Sequence, residues 1–292
     1  MLFGAHVSAA GGISNAIDRV EVIGGNAVQV FTQSPRQWKP TEHSEEQVAR
    51  FRERRRATRI RHVTCHALYL VNLASADAEI RSKSLEALRA TMLTARGLAA
   101  DAVVFHVGSH LGYGFDQAVG AVVPALRELL ELTTDDLWLC MENTAGAGAT
   151  IGRSVGELEA IADAVGRHPR LGLCIDSCHW WASGVDVSDQ GVLDEALQDL
   201  DERIGLDRLR VLHVNDSRAP LGSNRDRHEL VGRGLIGDGL ATFLGHPAFA
   251  KLPSIVETWE DAGADTEDLD RMRALHRRGQ RRRQRGARAG RA

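Results

Sequence analysis

The sequence predicts a (β/α)8 barrel, and three observations carry that prediction. Short apolar runs of four to six residues alternate with longer helical stretches about eight times along 292 residues. The runs lack clean in–out alternation, as strands of a parallel sheet covered on both faces do. No linker-like segment divides the chain, and no GxGxxG follows the first strand, so neither two small domains nor an open dinucleotide-binding sheet fits as well.

The elements follow in order. Residues 2–7 (LFGAHV) read as a strand, followed by a Gly-Gly turn and a helical stretch. Residues 27–31 (AVQVF) form the second strand. Its loop carries SPRQWKP, and Ser44 then caps a charged helix with Gln47 in the reciprocal position of a capping box. The third strand, 62–66 (HVTCH), leads to a helix from about 77 to 98. The fourth, 102–106 (AVVFH), leads to a helix over 115–132. The fifth, 137–142 (LWLCME), leads to a helix over 155–165. The sixth, 171–176 (LGLCID), is followed by His179 on a loop and a helix near 190–204. The seventh, 209–216 (LRVLHVND), precedes a long polar loop and a short helix at 240–244. The eighth is 253–258 (PSIVET), and a last helix starts near Thr266.

Composition is that of a globular chain, with 43% hydrophobic and 26% charged residues. No apolar run has the length of a membrane span, and MLFGAHVSAAGG lacks the features of a signal peptide; no membrane partner and a cytoplasmic protein are expected. Cys65, Cys140, Cys174 and Cys178 form no CxxC pair and read as buried reduced thiols. The net charge of −3 hides an asymmetry. Ten arginines and no acidic residue stand from Arg271 onward, leaving 26 basic against 39 acidic residues before it. The body, at −13, is a poor match to nucleic acid unless cations offset it. The barrel is expected to span 1–276, with 277–292 a disordered basic tail.

The strand ends carry the chemistry. His66, His106, Glu142 and Asp176 end the third to sixth strands; His213 lies on the seventh and Glu257 on the eighth. The C-terminal ends of barrel strands converge on one mouth, so these six metal-ligand side chains meet. Any one alone would be a hydrogen-bonded structural residue, but three carboxylates gathered in one mouth require protons or cations. His179 follows Asp176 by three residues, and Asp226-Arg227-His228 stands in the long loop; together they offer two histidines and an aspartate to a further metal. Asp-x-His by itself is a weak signal.

At these positions the chain resembles the endonuclease IV family of metal-dependent apurinic/apyrimidinic endonucleases. The matching segments are GAHVSAAGG (4–12), FTQSPRQW (31–38), YLVNLA (69–74), FHVGSH (105–110), ENTAGAG (142–148), CIDSCH (174–179), HVND (213–216), DRHELVGRGLIG (226–237) and IVET (255–258). The resemblance implies three zinc ions, with manganese or iron also suited to these donors. His66 and His106 would hold the first, Glu142 bridging to the second. Asp176, His213 and Glu257 would complete the second, and His179, Asp226 and His228 the third. It further implies a monomeric repair hydrolase acting on double-stranded DNA with abasic sites or blocked 3′ ends. Glu142 and Glu257 would serve the catalytic step, with metal-bound hydroxide as nucleophile. Arg36, Tyr69 and Leu70 match positions that enter the DNA stack; read from the residues alone, Tyr69 and Leu70 are core residues under a loop. His6 and His110 read as hydrogen-bonded neighbours of the ligands, and Trp180-Trp181 as rim packing. Val107, Leu68 and Arg233 depart from the family pattern without touching a ligand. Two rivals remain open: a sugar isomerase or epimerase using Glu142, Asp176, His213 and Glu257 with one or two metals, and a DNA-binding module with structural metals.

Overall fold

A computed structural model describes residues 1–257 and 265–289. Eight parallel strands close into a barrel: β1 (Leu2–His6), β2 (Ala27–Phe31), β3 (His62–His66), β4 (Ala102–Phe105), β5 (Trp138–Glu142), β6 (Leu171–Asp176), β7 (Leu209–His213) and the eighth barrel strand, β10 (Pro253–Val256). Closure comes from β1 pairing with both β2 and β10. The expected strands match to within a few residues at their ends; Thr258 lies outside the described residues.

Helices α1 (Asn15–Val22), α2 (Glu45–Ala57), α3 (Ala78–Leu98), α4 (Phe115–Leu130), α5 (Val155–Ala164), α7 (Gln190–Arg203), α8 (Leu240–Leu244) and α9 (Thr266–Ala289) surround the strands. The predicted capping box is present: the Gln47 amide N–H donates to Ser44 Oγ at 3.3 Å, and the Ser44 N–H donates to Gln47 Oε1 at 2.9 Å. The main core lies between strands and helices, while a small inner core of Ala27, Ala102, Val104, Cys140, Cys174, Val211 and Ile255 fills the barrel. All four cysteines are buried and unbridged. Among the described residues no helix is long and apolar enough to cross a membrane.

Three features differ from the sequence expectation. His179 sits not on a loop but on a seven-residue helix, α6 (Ser177–Ser183), which starts where β6 stops. The long loop after β7 carries a two-residue antiparallel ribbon, β8 (Asp216–Ser217) against β9 (His228–Glu229). The expected disordered tail is, through Ala289, the continuation of α9; residues 290–292 lie outside the described residues. Arginine is a good helix former, and this helix has an anchoring face. Leu269, Met272, Leu275 and Gly279 turn inward. A Cβ on Gly279 would stand 1.8 Å from the Ala241 carbonyl oxygen, so its hydrogen lets α9 lie on α8. Arg273, Arg278 and Arg283 reach the Gly24 carbonyl, Asp238 and Asp194.

His62 opens β3 at the end of the barrel opposite the mouth, near Thr64 Oγ1 (3.0 Å) and Asp101 Oδ2 (3.9 Å). Burial pushes its imidazole down to about 4, with Arg55 and Arg210 adding to the effect against Asp101. The folded pKa lies below the ordinary 6.5, so between these values the unfolded chain binds the proton more readily. Stability is therefore lost as pH falls through that window, by up to about 3 kcal/mol from this residue. Urea midpoints measured from pH 7 to 4 should fall less steeply for His62→Gln than for the unmodified protein; equal slopes would refute this.

Candidate metal centre

The six strand-end side chains expected as ligands arrive at one mouth. His66, Glu142, Asp176 and His213 are the last residues of β3, β5, β6 and β7; His106 and Glu257 follow β4 and β10 directly. Glu142 stands in the middle. Its Oε2 lies 3.2 Å from His66 Nε2 and 3.5 Å from His106 Nε2. Its Oε1 lies 2.9 Å from His213 Nδ1 and 3.3 Å from His179 Nδ1.

Potential ligand atoms within 4.8 Å of one another form overlapping groups among the described residues: His66–Glu142–His213; Glu142–Asp176–His213–Glu257; His179–Asp226–His228; and Asp176–Cys178–His228. The second and third coincide with ligand sets expected from the sequence. In the expected first set, His66 and His106 both approach Glu142 Oε2. Cys178 is the residue the sequence reading did not place here. Its thiol is pushed up to about 12 by burial and by Asp176, so it stays protonated at neutral pH.

Local structure explains the aim of these side chains. Asp176 ends β6 and caps α6: its Oδ1 accepts from the His179 N–H at 2.9 Å. The three-residue interval between them is thus the interval from N-cap to third helical position. Asp176 Oδ2 accepts from Asn215 Nδ2, which also lies 3.2 Å from Glu257 Oε2. On the other side, the ribbon pairs His228 with Ser217 and pins the Asp-Arg-His segment to the end of β7. His228 and His179 then face Asp226 at 3.0 and 3.3 Å. Asp216, missed in the sequence, shapes this loop by accepting from the N–H groups of Gly234, Ile236 and Gly237. A Cβ on Gly234 would stand 2.5 Å from Asp216 Oδ1, so this glycine is required. Arg233 instead pairs with Glu267 of α9 at 2.7 Å.

The electrostatics are those of a cation site. Glu142 and Asp176 are 1% and 0% exposed. Burial pushes Glu142 up, but His106, His213 and His179 outweigh it and hold the carboxyl well below its ordinary range. Glu257 is held low in the same way, with His213 the strongest neighbour. Burial opposes charge on His213, yet Glu257 and Glu142 push it up to about 9. A cluster of ionised carboxylates and histidines this well buried fits divalent metal: the donors are those zinc takes, and the carboxylates need positive charge.

The remaining expected residues lie on the rim. Tyr69 is 40% exposed and is no core residue; its N–H donates to the Pro35 carbonyl at 3.2 Å, tying its loop to that of exposed Arg36. Leu70 is half-buried against the core. Trp180 is buried beside Phe243 and Trp181 donates to the Ala219 carbonyl, so both pack as expected. His110 accepts from Gly112 and Gly114 N–H within its own loop and joins no ligand group. His6 does touch the site, through Gln29 and Glu257.

Residues 17–275 match a family model described as xylose isomerase-like TIM barrel. A relative described as probable endonuclease 4, from Halothermothrix orenii, is 36% identical over 278 residues, covering 95% of this chain and 100% of its own length. The chain belongs to the endonuclease IV family. Another probable endonuclease 4, from Methanoculleus marisnigri, is 38% identical and covers 94% of this chain and 99% of itself. Among solved structures, endonuclease IV from Thermus thermophilus superposes with a TM-score of 0.82 at 33% identity, covering 97% of this chain and 100% of its own. A D-tagatose 3-epimerase-like protein superposes at 0.71 with 17% identity, over 96% of this chain and 97% of its own, a likeness of fold alone.

Proposed function

We propose that the protein is a base-excision-repair endonuclease that cuts the DNA backbone 5′ to an abasic site, leaving a 3′-hydroxyl and a 5′-deoxyribose phosphate. Membership of the endonuclease IV family supports the class of reaction. The observation that carries the reading is the His179–Asp226–His228 group beside the four-ligand group. A sugar epimerase has use for Glu142, Asp176, His213 and Glu257 but none for this third set.

Three zinc ions are assigned. His66, His106 and Glu142 would hold one; Glu142, Asp176, His213 and Glu257 a second; His179, Asp226 and His228 a third. Bound zinc would lower the pKa of a coordinated water toward about 7, supplying hydroxide at neutral pH, and offset charge on the phosphate and leaving oxygen.

The chain's own residues do the rest. Glu142, touching histidines of all three sets, holds them in register and can accept a proton from the attacking water. Glu257, tied by its N–H to Asn215 Oδ1 at 2.9 Å, keeps its carboxylate at the mouth and joins Glu142 in the catalytic step. Asp226, half exposed, stands at the solvent side where a strand of DNA can approach. Arg36, Tyr69 and Leu70 on the two linked rim loops supply a planar cation, a ring and an aliphatic wedge that can replace stacking where the abasic nucleotide is flipped out. Double-stranded DNA with abasic sites is the proposed substrate. Blocked 3′ ends place the same phosphate before the same groups, so end trimming is a second activity of the site. A cytoplasmic monomer is the proposed working form.

The test is a duplex oligonucleotide with one abasic site, incubated with the zinc-loaded protein alongside a ketohexose. Cleavage 5′ to the lesion with no change in the sugar is expected; an intact duplex, or epimerised sugar, would overturn the reading.

A further inference from the structure

Gln29 lies in the middle of β2, 0% exposed, where an amide must find partners for every hydrogen it buries. Its contacts all go to the site. Nε2 donates to Glu257 Oε1 at 2.6 Å and lies 3.0 Å from His6 Nδ1, while Oε1 lies 2.8 Å from His213 Nε2.

These partners fix which way round the amide sits. An ionised carboxylate can only accept, so the NH2 end must face Glu257. The oxygen then faces His213, and since it has no hydrogen to give, His213 carries its proton on Nε2. In the neutral, metal-ligating form of His213 the lone pair is then left on Nδ1. That atom is 2.9 Å from Glu142 Oε1 and 3.3 Å from Glu257 Oε2, inside the four-ligand group.

Two other histidines of the site are oriented differently. His66 Nδ1 lies 2.6 Å from the Ala67 carbonyl and His179 Nδ1 lies 2.9 Å from the Asn143 carbonyl, so each presents Nε2. Main-chain carbonyls do that work whatever the side chains are. The opposite tautomer of His213 depends on one side chain.

We propose that Gln29 is the positioning residue of the Glu142–Asp176–His213–Glu257 metal group. It locks the tautomer of His213 and the rotamer of Glu257 together, so both present donors to one ion. Groups that orient metal ligands in this way contribute about 10–100-fold to metal affinity. The inference rests on the metal reading proposed above.

The experiment compares zinc binding by the unmodified protein and Gln29→Leu, each titrated with a competing chelator, with circular dichroism as the check on folding. Leucine keeps the volume and removes donor and acceptor. One zinc per chain should bind about 10–100-fold more weakly in the variant, the others being unchanged. Equal affinities in the two proteins would overturn the inference and leave the metal reading standing. An unmodified protein that takes up no zinc removes both. A second measurement needs no variant: nitrogen-15 spectra of the zinc-loaded unmodified protein should show the His213 proton on Nε2, and a proton on Nδ1 would overturn the inference even if Gln29→Leu fails to fold.

Discussion

Glu142→Gln should lose at least about a hundredfold of the cleavage rate at an abasic site, the scale seen when one preorganised polar group is removed from an active site. A larger loss is expected, because Glu142 touches His66, His106, His179 and His213 with its two oxygens. A carboxamide keeps one oxygen and turns an NH2 toward the other histidines. An NH2 group has no lone pair to offer a metal, and the bridging charge is gone. Metal affinity and cleavage should therefore fall together, while the fold is held by strand pairs that Glu142 does not supply. Steady-state cleavage, metal content and circular dichroism on one preparation check this. A folded Glu142→Gln protein that cuts at the unmodified rate would show that the strand-end carboxylate is not part of the reaction.

Removing the metals is expected to act on stability as well as on cleavage. A ligand that binds only the folded state at a thousandfold excess over its Kd stabilises by about 4 kcal/mol. In the metal-free protein, imidazolium on His213 takes over the balance against Glu142 and Glu257. Its folded pKa of about 9 lies above the ordinary 6.5, so this contribution is complete below 6.5 and is lost as pH rises through 9. Chelated protein should thus cut nothing, melt lower than the zinc-loaded form, and lose further stability from pH 6.5 to 9. Calorimetry before and after chelation, with zinc restored as the control, measures all three. Unchanged cleavage after complete metal removal would refute the metal-dependent reading.

The sequence made the barrel legible because its strands are short apolar runs that end in a charged or imidazole side chain, and six consecutive barrel strands do so from His66 to Glu257. The α2 capping box was legible for a similar reason: both partners sit within four residues. What stayed hidden depends on contacts between distant segments. A seven-residue helix after Asp176 has too few turns to show a period, so His179 read as a loop residue. The β8–β9 ribbon is two residues wide and is held by pairing across a polar loop. Gly279 gives no sign in a run of arginines that it lies against Ala241 and Gly245. Gln29 reads as one polar interruption in an apolar strand, and only the fold shows that β2 brings it between His213 and Glu257.

The most direct test of the central claim is a count of metal ions per chain in purified, unmodified protein by elemental analysis. The nine proposed ligand side chains, in three proposed sets, predict about three zinc per chain, with manganese or iron replacing zinc at individual sites at most. One or two manganese or magnesium ions per chain, with the His179–Asp226–His228 group empty, would contradict the account and place the chemistry with the sugar-binding barrels instead.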